Sequence, residues 1–214
     1  MISMTENLDY VAFVNGVIQT VVGHPLDSLK TWKQSNLKVL LSVKSIYRGV
    51  SYPLLTNSIL NHVQFNLMDN KKNSFYLNSF YTSLFSGLFL SPIEYFKIRK
   101  QNNLKISFPT GTGITILREI PGVMIYFGVL RNFKKFTNID SDLITGGIAG
   151  SLSWIVTYPI DTIKTRLQAD VPFRKALLRP YYNGLGYCLA RAFLANSLGY
   201  YSYVKLNKIL KNVY

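Results

Sequence analysis

Three copies of one ten-residue pattern occur at equal intervals along the chain. They read PLDSLKTWKQ at 25–34, PIEYFKIRKQ at 92–101 and PIDTIKTRLQ at 159–168. Each copy has a proline, an acid two residues later, a lysine after three more and a final glutamine, and successive copies begin 67 residues apart. Average residue frequencies predict this pattern about once per 10⁵ positions, so three evenly spaced copies indicate an internal repeat.

Small residues stand thirteen and nine positions before each proline. They are Ala12 and Gly16, Ser79 and Ser83, and Gly146 and Gly150. Small residues four positions apart allow helix backbones to approach closely inside a bilayer. Each motif is therefore predicted to end a helix that has one small face, over roughly 8–34, 75–101 and 141–168.

Three further apolar stretches lie between and after these helices, at about 47–70, 112–136 and 180–211. Each of the six segments is long enough to cross a hydrocarbon layer of about 30 Å. The predicted fold class is therefore an all-α membrane protein, with six transmembrane helices in three tandem repeats and pseudo-threefold symmetry around a central cavity. We expect a single domain over 1–214, with repeats at 1–72, 73–138 and 139–214.

Charged and polar residues interrupt several of these spans. Arg118, Glu119 and Arg191 are the clearest examples. Ionisable groups within a membrane are costly unless they face water or a partner, which favours a water-filled cavity. A soluble helical bundle is the alternative interpretation.

Composition excludes several other classes of protein. The net charge of +14 suits an anionic lipid surface, an anionic solute or nucleic acid. The basic residues flank apolar spans, so no nucleic acid is expected as partner. His24 and His62 lack acids or cysteine at ligand spacing, and Cys188 is the single cysteine. We therefore expect no metal, no cofactor and no catalytic residue, hence no enzyme, and a buried thiol at Cys188.

The chain resembles the mitochondrial carrier family, whose repeats are pairs of helices with a Pro-x-acid-x-x-base signature on the odd helix. GGIAGSLSWIVTYPIDTIKTRLQ and LREIPGVMIYFG carry the resemblance most closely, and REIPG and RAFLANS are similar to the ornithine and carnitine branch. The resemblance implies a monomeric, multi-pass solute carrier of the mitochondrial inner membrane that exchanges solutes by alternating access. The N-terminal segment MISMTENLDY has neither a secretory nor a transit-peptide pattern, so any targeting signal is expected to be internal. The connections 35–46 and 102–111 are short for the family.

The resemblance gives the repeated motif a role as a gate on the matrix side. It implies that Pro25, Pro92 and Pro159 kink the odd helices. The implied ion pairs are Asp27 with Lys97, Glu94 with Lys164, and Asp161 with Lys30. Gln34, Gln101 and Gln168 would brace those pairs from below.

The gate on the cytoplasmic side departs from the family pattern of aromatic-acid-x-x-base. The matching segments read FNLMD at 65–69, LRNFK at 130–134 and YVKLN at 203–207, and the acid positions hold Asn66, Arg131 and Val204. We therefore expect a weak cytoplasmic lock and a resting state with its cavity open to the cytosol. Gln64 is expected to face that cavity.

The family's substrate contact points fall on Thr56 and Asn57, on Arg118 and Glu119, and on Arg191. Arginine binds carboxylate or phosphate through its planar fork. The arginine–acid pair favours a small charged solute that resembles an amino acid or carnitine. A nucleotide or deoxynucleotide held by Arg118 and Arg191 stays open, as does a purely structural role for Arg118 and Glu119. A carrier-fold receptor or scaffold that does not transport is the rival class.

A lipid site is implied by a shorter family mark, an aromatic-base-glycine before the even helices. Its backbone amides would bind the phosphate of cardiolipin at a helix N-terminus. Tyr47, Arg48 and Gly49 match this mark fully. Near the last helix only Gly184 of the mark is kept.

Overall fold

The fold is all-helical throughout the part of the chain that the computed structural model describes. The described residues are 4–34, 47, 50–69, 73–101, 105, 111–168, 171–182 and 184–213. Their side chains are described as well, except at 4–9, 27–34, 52, 97–101 and 211–213. Six helices are long and one is a single turn. They are α1 (Met4–Gln34), α2 (Ser51–Asp69), α3 (Phe75–Gln101), α4 (Thr112–Thr137), α5 (Asp142–Gln168), α6 (Phe173–Ala176) and α7 (Leu185–Val213).

The six long helices form a closed ring in chain order. α1 contacts α2 and α7, α3 contacts α2 and α4, and α5 contacts α4 and α7. Neighbours in the ring run antiparallel, as in α1 and α7, where Gly199 lies beside Asn15 and Gly23 beside Arg191. The prediction of six helices arranged around a centre is confirmed.

Each repeated motif forms the last turns of a helix. Gln34, Gln101 and Gln168 are the final residues of α1, α3 and α5. The motif prolines lie inside those helices, which continue past them. A proline in a helix removes one backbone hydrogen bond and favours a bend, so the motif places its charged residues beyond a weak point of the helix.

In this ring of helices polar side chains are buried and large apolar side chains are exposed, which is the opposite of a soluble protein. Among the largest fully buried side chains all except Tyr95 are polar or charged, including Lys164, Gln168 and Asn15. Large apolar residues such as Leu88 and Leu117 are more than half exposed on the outside. Two helices, α4 and α5, are also long and apolar enough by composition to cross a membrane. A lipid environment accounts for this distribution, because an extended apolar surface is unfavourable in water.

The small residues before the motifs lie at close helix contacts, as predicted. Ala12, Ser79 and Ser83 are fully buried. A Cβ atom added at Gly16 would overlap the Cα of Ser58 and lie 2.7 Å from the carbonyl oxygen of Asn57. Both obstacles are backbone atoms of α2, so they cannot move aside as a side chain would.

Gly16→Ala should therefore lower the stability of the folded protein. Overpacking of this kind costs about 1–3 kcal/mol. Gly113→Ala is the matched control, because a Cβ there meets nothing within 4 Å and alanine favours a helix. Thermal unfolding of the detergent-purified proteins measures the difference. Equal midpoints for the two variants would contradict the proposed backbone contact.

The last helix begins later than the sequence indicated. The apolar stretch was predicted from 180, whereas α7 begins at Leu185. Arg166 holds the preceding loop by donating hydrogen bonds to three of its carbonyl groups, those of Ala176, Leu178 and Pro180. Gly184 then adopts a left-handed conformation with φ of 83°, which favours glycine. The chain is thus kept out of helix until residue 185. The start of α2 is also later than predicted, at Ser51 instead of 47.

Candidate functional site

Five charged side chains meet where α3, α4 and α5 adjoin, and we call them the charge cluster. They are Glu94 on α3, Arg118 and Glu119 on α4, and Asp161 and Lys164 on α5. All five belong to the predicted gate or contact-point residues. The cluster therefore joins two sites that the sequence treated as separate.

The two bases of the charge cluster share the same carboxylates. Lys164 donates to Glu94, and its Nζ lies 3.8 Å from Oδ1 of Asp161. The guanidinium of Arg118 places Nη1 3.2 Å from Oδ1 of Asp161 and Nη2 3.4 Å from Oε1 of Glu94. Arg118 also pairs with its neighbour Glu119. Arg118 thus contacts the gate acids directly.

The charge cluster is well shielded, and its most exposed members are two acids. The side chain of Lys164 is 2% exposed and that of Arg118 is 8%, whereas Glu94 and Asp161 are each 25% exposed. A cation that reaches the exposed edge of these two acids would find carboxylate oxygens to bind.

Trp154 is a site residue that the sequence reasoning missed. The guanidinium carbon of Arg118 lies 5.8 Å from the centre of its ring, within the range of a cation–π contact. Trp154, Tyr158 and Asp161 follow one another at positions i, i+4 and i+7 of α5, and therefore share one face of that helix. Listing the residues that share this helix face with the predicted gate acid Asp161 would have identified Trp154.

The other predicted contact residues lie toward α1. The Nδ2 atom of Asn57 donates to Oγ1 of Thr20 over 3.1 Å, and Oγ1 of Thr56 lies 3.3 Å from the carbonyl oxygen of Pro53. Arg191 packs against α1, since a Cβ atom on Gly23 would lie 3.4 Å from its Nε. The contact residues of α2 and α7 therefore border a different wall from the charge cluster.

Comparison with known proteins shows similarity to mitochondrial carriers. Residues 137–177 match the family model described as mitochondrial carrier protein. The chain is 28% identical to the mitochondrial arginine transporter BAC2 of Arabidopsis thaliana, over 88% of this chain and 86% of that protein. It is 25% identical to mitochondrial ornithine transporter 1 of Schizosaccharomyces pombe, over 88% of each. It is 26% identical to the mitochondrial carnitine carrier of Saccharomyces cerevisiae, over 86% and 81%.

The chain is thus similar to mitochondrial carriers over nearly all of its length. This similarity indicates a multi-pass protein of the mitochondrial inner membrane. This assignment agrees with the ring of six helices and with the apolar outer surface.

The structure describes one of the three ion pairs that are predicted for the matrix gate. Glu94 and Lys164 are in contact. The side chains of Asp27, Lys30 and Lys97 lie outside the described part, so their two pairs stay predictions. The same holds for two of the predicted braces, Gln34 and Gln101.

The third brace, Gln168, ends α5 one turn beyond Lys164 and is fully buried. Its side chain lies beside Gly111, where an added Cβ atom would be 3.5 Å from the amide nitrogen. This position is beneath the described ion pair along the helix. The bracing role itself stays a prediction.

The predicted lipid mark of the carrier is described in part. Tyr47 donates from its hydroxyl to the carbonyl of Val21 over 3.2 Å and stacks on His24. Arg48 and Gly49 lie outside the described residues. Gly184 is immediately before α7 with positive φ, which leaves helix amides next to it. Cardiolipin binding stays a prediction.

The opposite end of the carrier contains aromatic contacts that the sequence did not predict. Phe65 packs against Phe127 and Tyr203, with ring centres 5.1 and 4.3 Å apart. Gln64, expected to face a cavity, donates to Oγ of Ser86 on α3 over 2.8 Å. The degraded ion-pair pattern is therefore accompanied by packed rings, and the resting state open to the cytosol stays a prediction.

Proposed function

We propose that this protein is a carrier that moves a small solute with a positive group, such as a basic amino acid or carnitine, across the mitochondrial inner membrane. The observation that carries the proposal is the partly exposed pair of carboxylates, Glu94 and Asp161, at the edge of the charge cluster. A solute ammonium or guanidinium group would pair with these carboxylates. A solute carboxylate would compete for Arg118.

The named activities of the relatives support the same class of solute. They include an arginine transporter, an ornithine transporter, a carnitine carrier and a human basic amino acids transporter. Arginine, ornithine and carnitine share a permanent or fully protonated cationic group. Identities of 25% to 28% leave the individual solute to experiment.

The contact between the solute residues and the gate suggests how binding drives alternating access. A cation that takes over part of Glu94 or Asp161 weakens the hold of Lys164 on the same acids, which would favour opening of the matrix gate. A ligand can shift such an equilibrium only by its difference in affinity for the two states. We further propose a monomer built of three repeats that works by exchange, with cardiolipin at the glycines before its even helices.

A nucleotide is a poorer fit to this site. Its phosphates would have to displace three carboxylates from Arg118, and they would bring negative charge beside the exposed acids Glu94 and Asp161. Arg191, the other candidate for phosphate, lies on the α1 side. Uptake of a labelled nucleotide would contradict the proposal, and uptake of no solute at all would favour a receptor or scaffold.

Uptake into liposomes that contain the purified protein tests the solute class. We expect uptake of arginine or ornithine, with citrulline as the matched uncharged comparison. Glu119→Gln removes one of the three carboxylates of the charge cluster, and should lower uptake of the cationic solute at least tenfold, equivalent to about 1.4 kcal/mol. Asp140→Asn, in the exposed connection between α4 and α5, is the control that removes one acid elsewhere. Equal uptake of citrulline, or full activity in Glu119→Gln, would overturn the proposed role of these carboxylates.

A further inference from the structure

Three aromatic side chains meet at the end of the ring opposite the charge cluster. Phe65 on α2 contacts Phe127 on α4 edge-on and Tyr203 on α7 at a tilt. Phe65 and Phe127 are 6% and 7% exposed. Ala12 and Val123 are buried with them, and partly buried apolar residues pack around them, including Met68, Phe75 and Leu130.

The aromatic side chains and the charge cluster lie at different levels along the helices. Phe75 begins α3 and packs on the aromatic group, whereas Glu94 lies nineteen residues further along the same helix. At 1.5 Å per residue the two levels are about 28 Å apart. The aromatic group and the charge cluster therefore occupy the two ends of the pathway through the protein.

The three rings come from helices that are not neighbours. α1 stands between α7 and α2, and α3 stands between α2 and α4. A contact from Phe65 to both Phe127 and Tyr203 therefore crosses the centre of the ring instead of following its wall. Any solute that enters from this end must pass the place where the rings meet.

We propose that Phe65, Phe127 and Tyr203 close the pathway at the cytoplasmic end, in place of ion pairs. This inference rests on the proposed function, because a closure needs a pathway to close. Phe65 and Tyr203 occupy the aromatic positions of two degraded motifs, in which the following acid position holds Asn66 or Val204. Arg131, at the third acid position, lies over the ring of Phe75 at 5.7 Å and so belongs to the aromatic surroundings. The closure is uncharged, and its strength comes from burial of apolar surface.

Access to a cysteine placed below the rings tests the closure without any solute. Val123→Cys, in a Cys188→Ser background, puts a thiol of similar size one turn deeper than Phe127 on α4. We expect slow reaction with a membrane-impermeant thiol reagent added to sealed proteoliposomes. Phe65→Ala or Tyr203→Ala should raise the labelling rate at least tenfold, and Phe65→Leu much less, because leucine keeps most of the apolar volume.

Two controls separate opening from other effects. Phe80→Ala removes a half-exposed ring from α3 and should leave labelling unchanged. Ala149→Cys places a thiol at a fully buried position of α5, where labelling would report unfolding instead of opening. Unchanged labelling of Val123→Cys in both alanine variants would overturn the closure, as would fast labelling before any ring is removed. Should Phe65→Ala unfold, Tyr203→Ala and Phe65→Leu decide the matter. Failure of uptake with every solute would instead overturn the proposed transport and leave this result standing.

Discussion

Lys164→Gln should abolish solute uptake and destabilise the protein. Lys164 is buried between Glu94 and Asp161, so its loss leaves three carboxylates with Arg118 as the one base of the charge cluster. Removing one partner of a buried ion pair costs about 3–5 kcal/mol. Thermal unfolding in detergent and uptake into liposomes measure the two effects.

The double variant Lys164→Gln with Glu94→Gln should recover much of the lost stability. It leaves the net charge of the cluster unchanged, because an acid and a base are removed together. Lys134→Gln is the matched control for loss of a lysine ion pair. The Nζ atom of Lys134 lies 2.9 Å from Asp142, but its side chain is 40% exposed, and such pairs contribute about 0–1 kcal/mol. If the double variant is less stable than Lys164→Gln alone, charge balance does not govern the cluster.

The helices were predictable because their signals are local and periodic. The proline motif ends α1, α3 and α5 at a glutamine in all three repeats, and the small residues upstream mark where helices touch. The start of α7 was not predictable in this way. Its delay depends on Arg166, which binds carbonyl groups ten to fourteen residues away and shows no pattern in the sequence.

The candidate site was predictable as a set of residues and not as an arrangement. The contact of Glu94 with Lys164, 70 residues apart, followed from the family resemblance. The bonds of Arg118 to Glu94 and Asp161, 24 and 43 residues away, depend on how closely α4 packs between α3 and α5. Single-sequence patterns contain no information about that approach.

The aromatic packing beside the degraded motifs was missed for a different reason. Attention to the acid positions at Asn66, Arg131 and Val204 indicated a weak lock. The aromatic positions beside them carry the packing instead, and Phe127, which stands outside every motif, completes it. A ring that contacts two others across a bundle cannot be recognised until the neighbours of each helix are known.

Arg118→Lys should reduce uptake at least tenfold although it conserves the charge. Arginine presents a rigid fork, and here its two terminal nitrogens contact Asp161 and Glu94 separately while the group also pairs with Glu119. A lysine ammonium is a compact point charge on a flexible chain and cannot span the same set of carboxylates. Hydrogen bonds to charged groups contribute about 1.5–3 kcal/mol each, so losing one of them is enough for the expected effect.

Arg174→Lys is the matched control for Arg118→Lys. It makes the same change at an exposed position of α6 that belongs to neither the charge cluster nor the aromatic group. Measuring uptake over a range of solute concentrations separates the two possible roles of Arg118. If Arg118 binds the solute, the substitution raises the concentration needed for half-maximal uptake, because the solute carboxylate loses the paired guanidinium donors. A role in coupling to the gate acids lowers the maximal rate, because the acids stay with Lys164 when solute binds. Wild-type uptake in Arg118→Lys would exclude both roles and leave Arg118 as a positive charge that any base can supply.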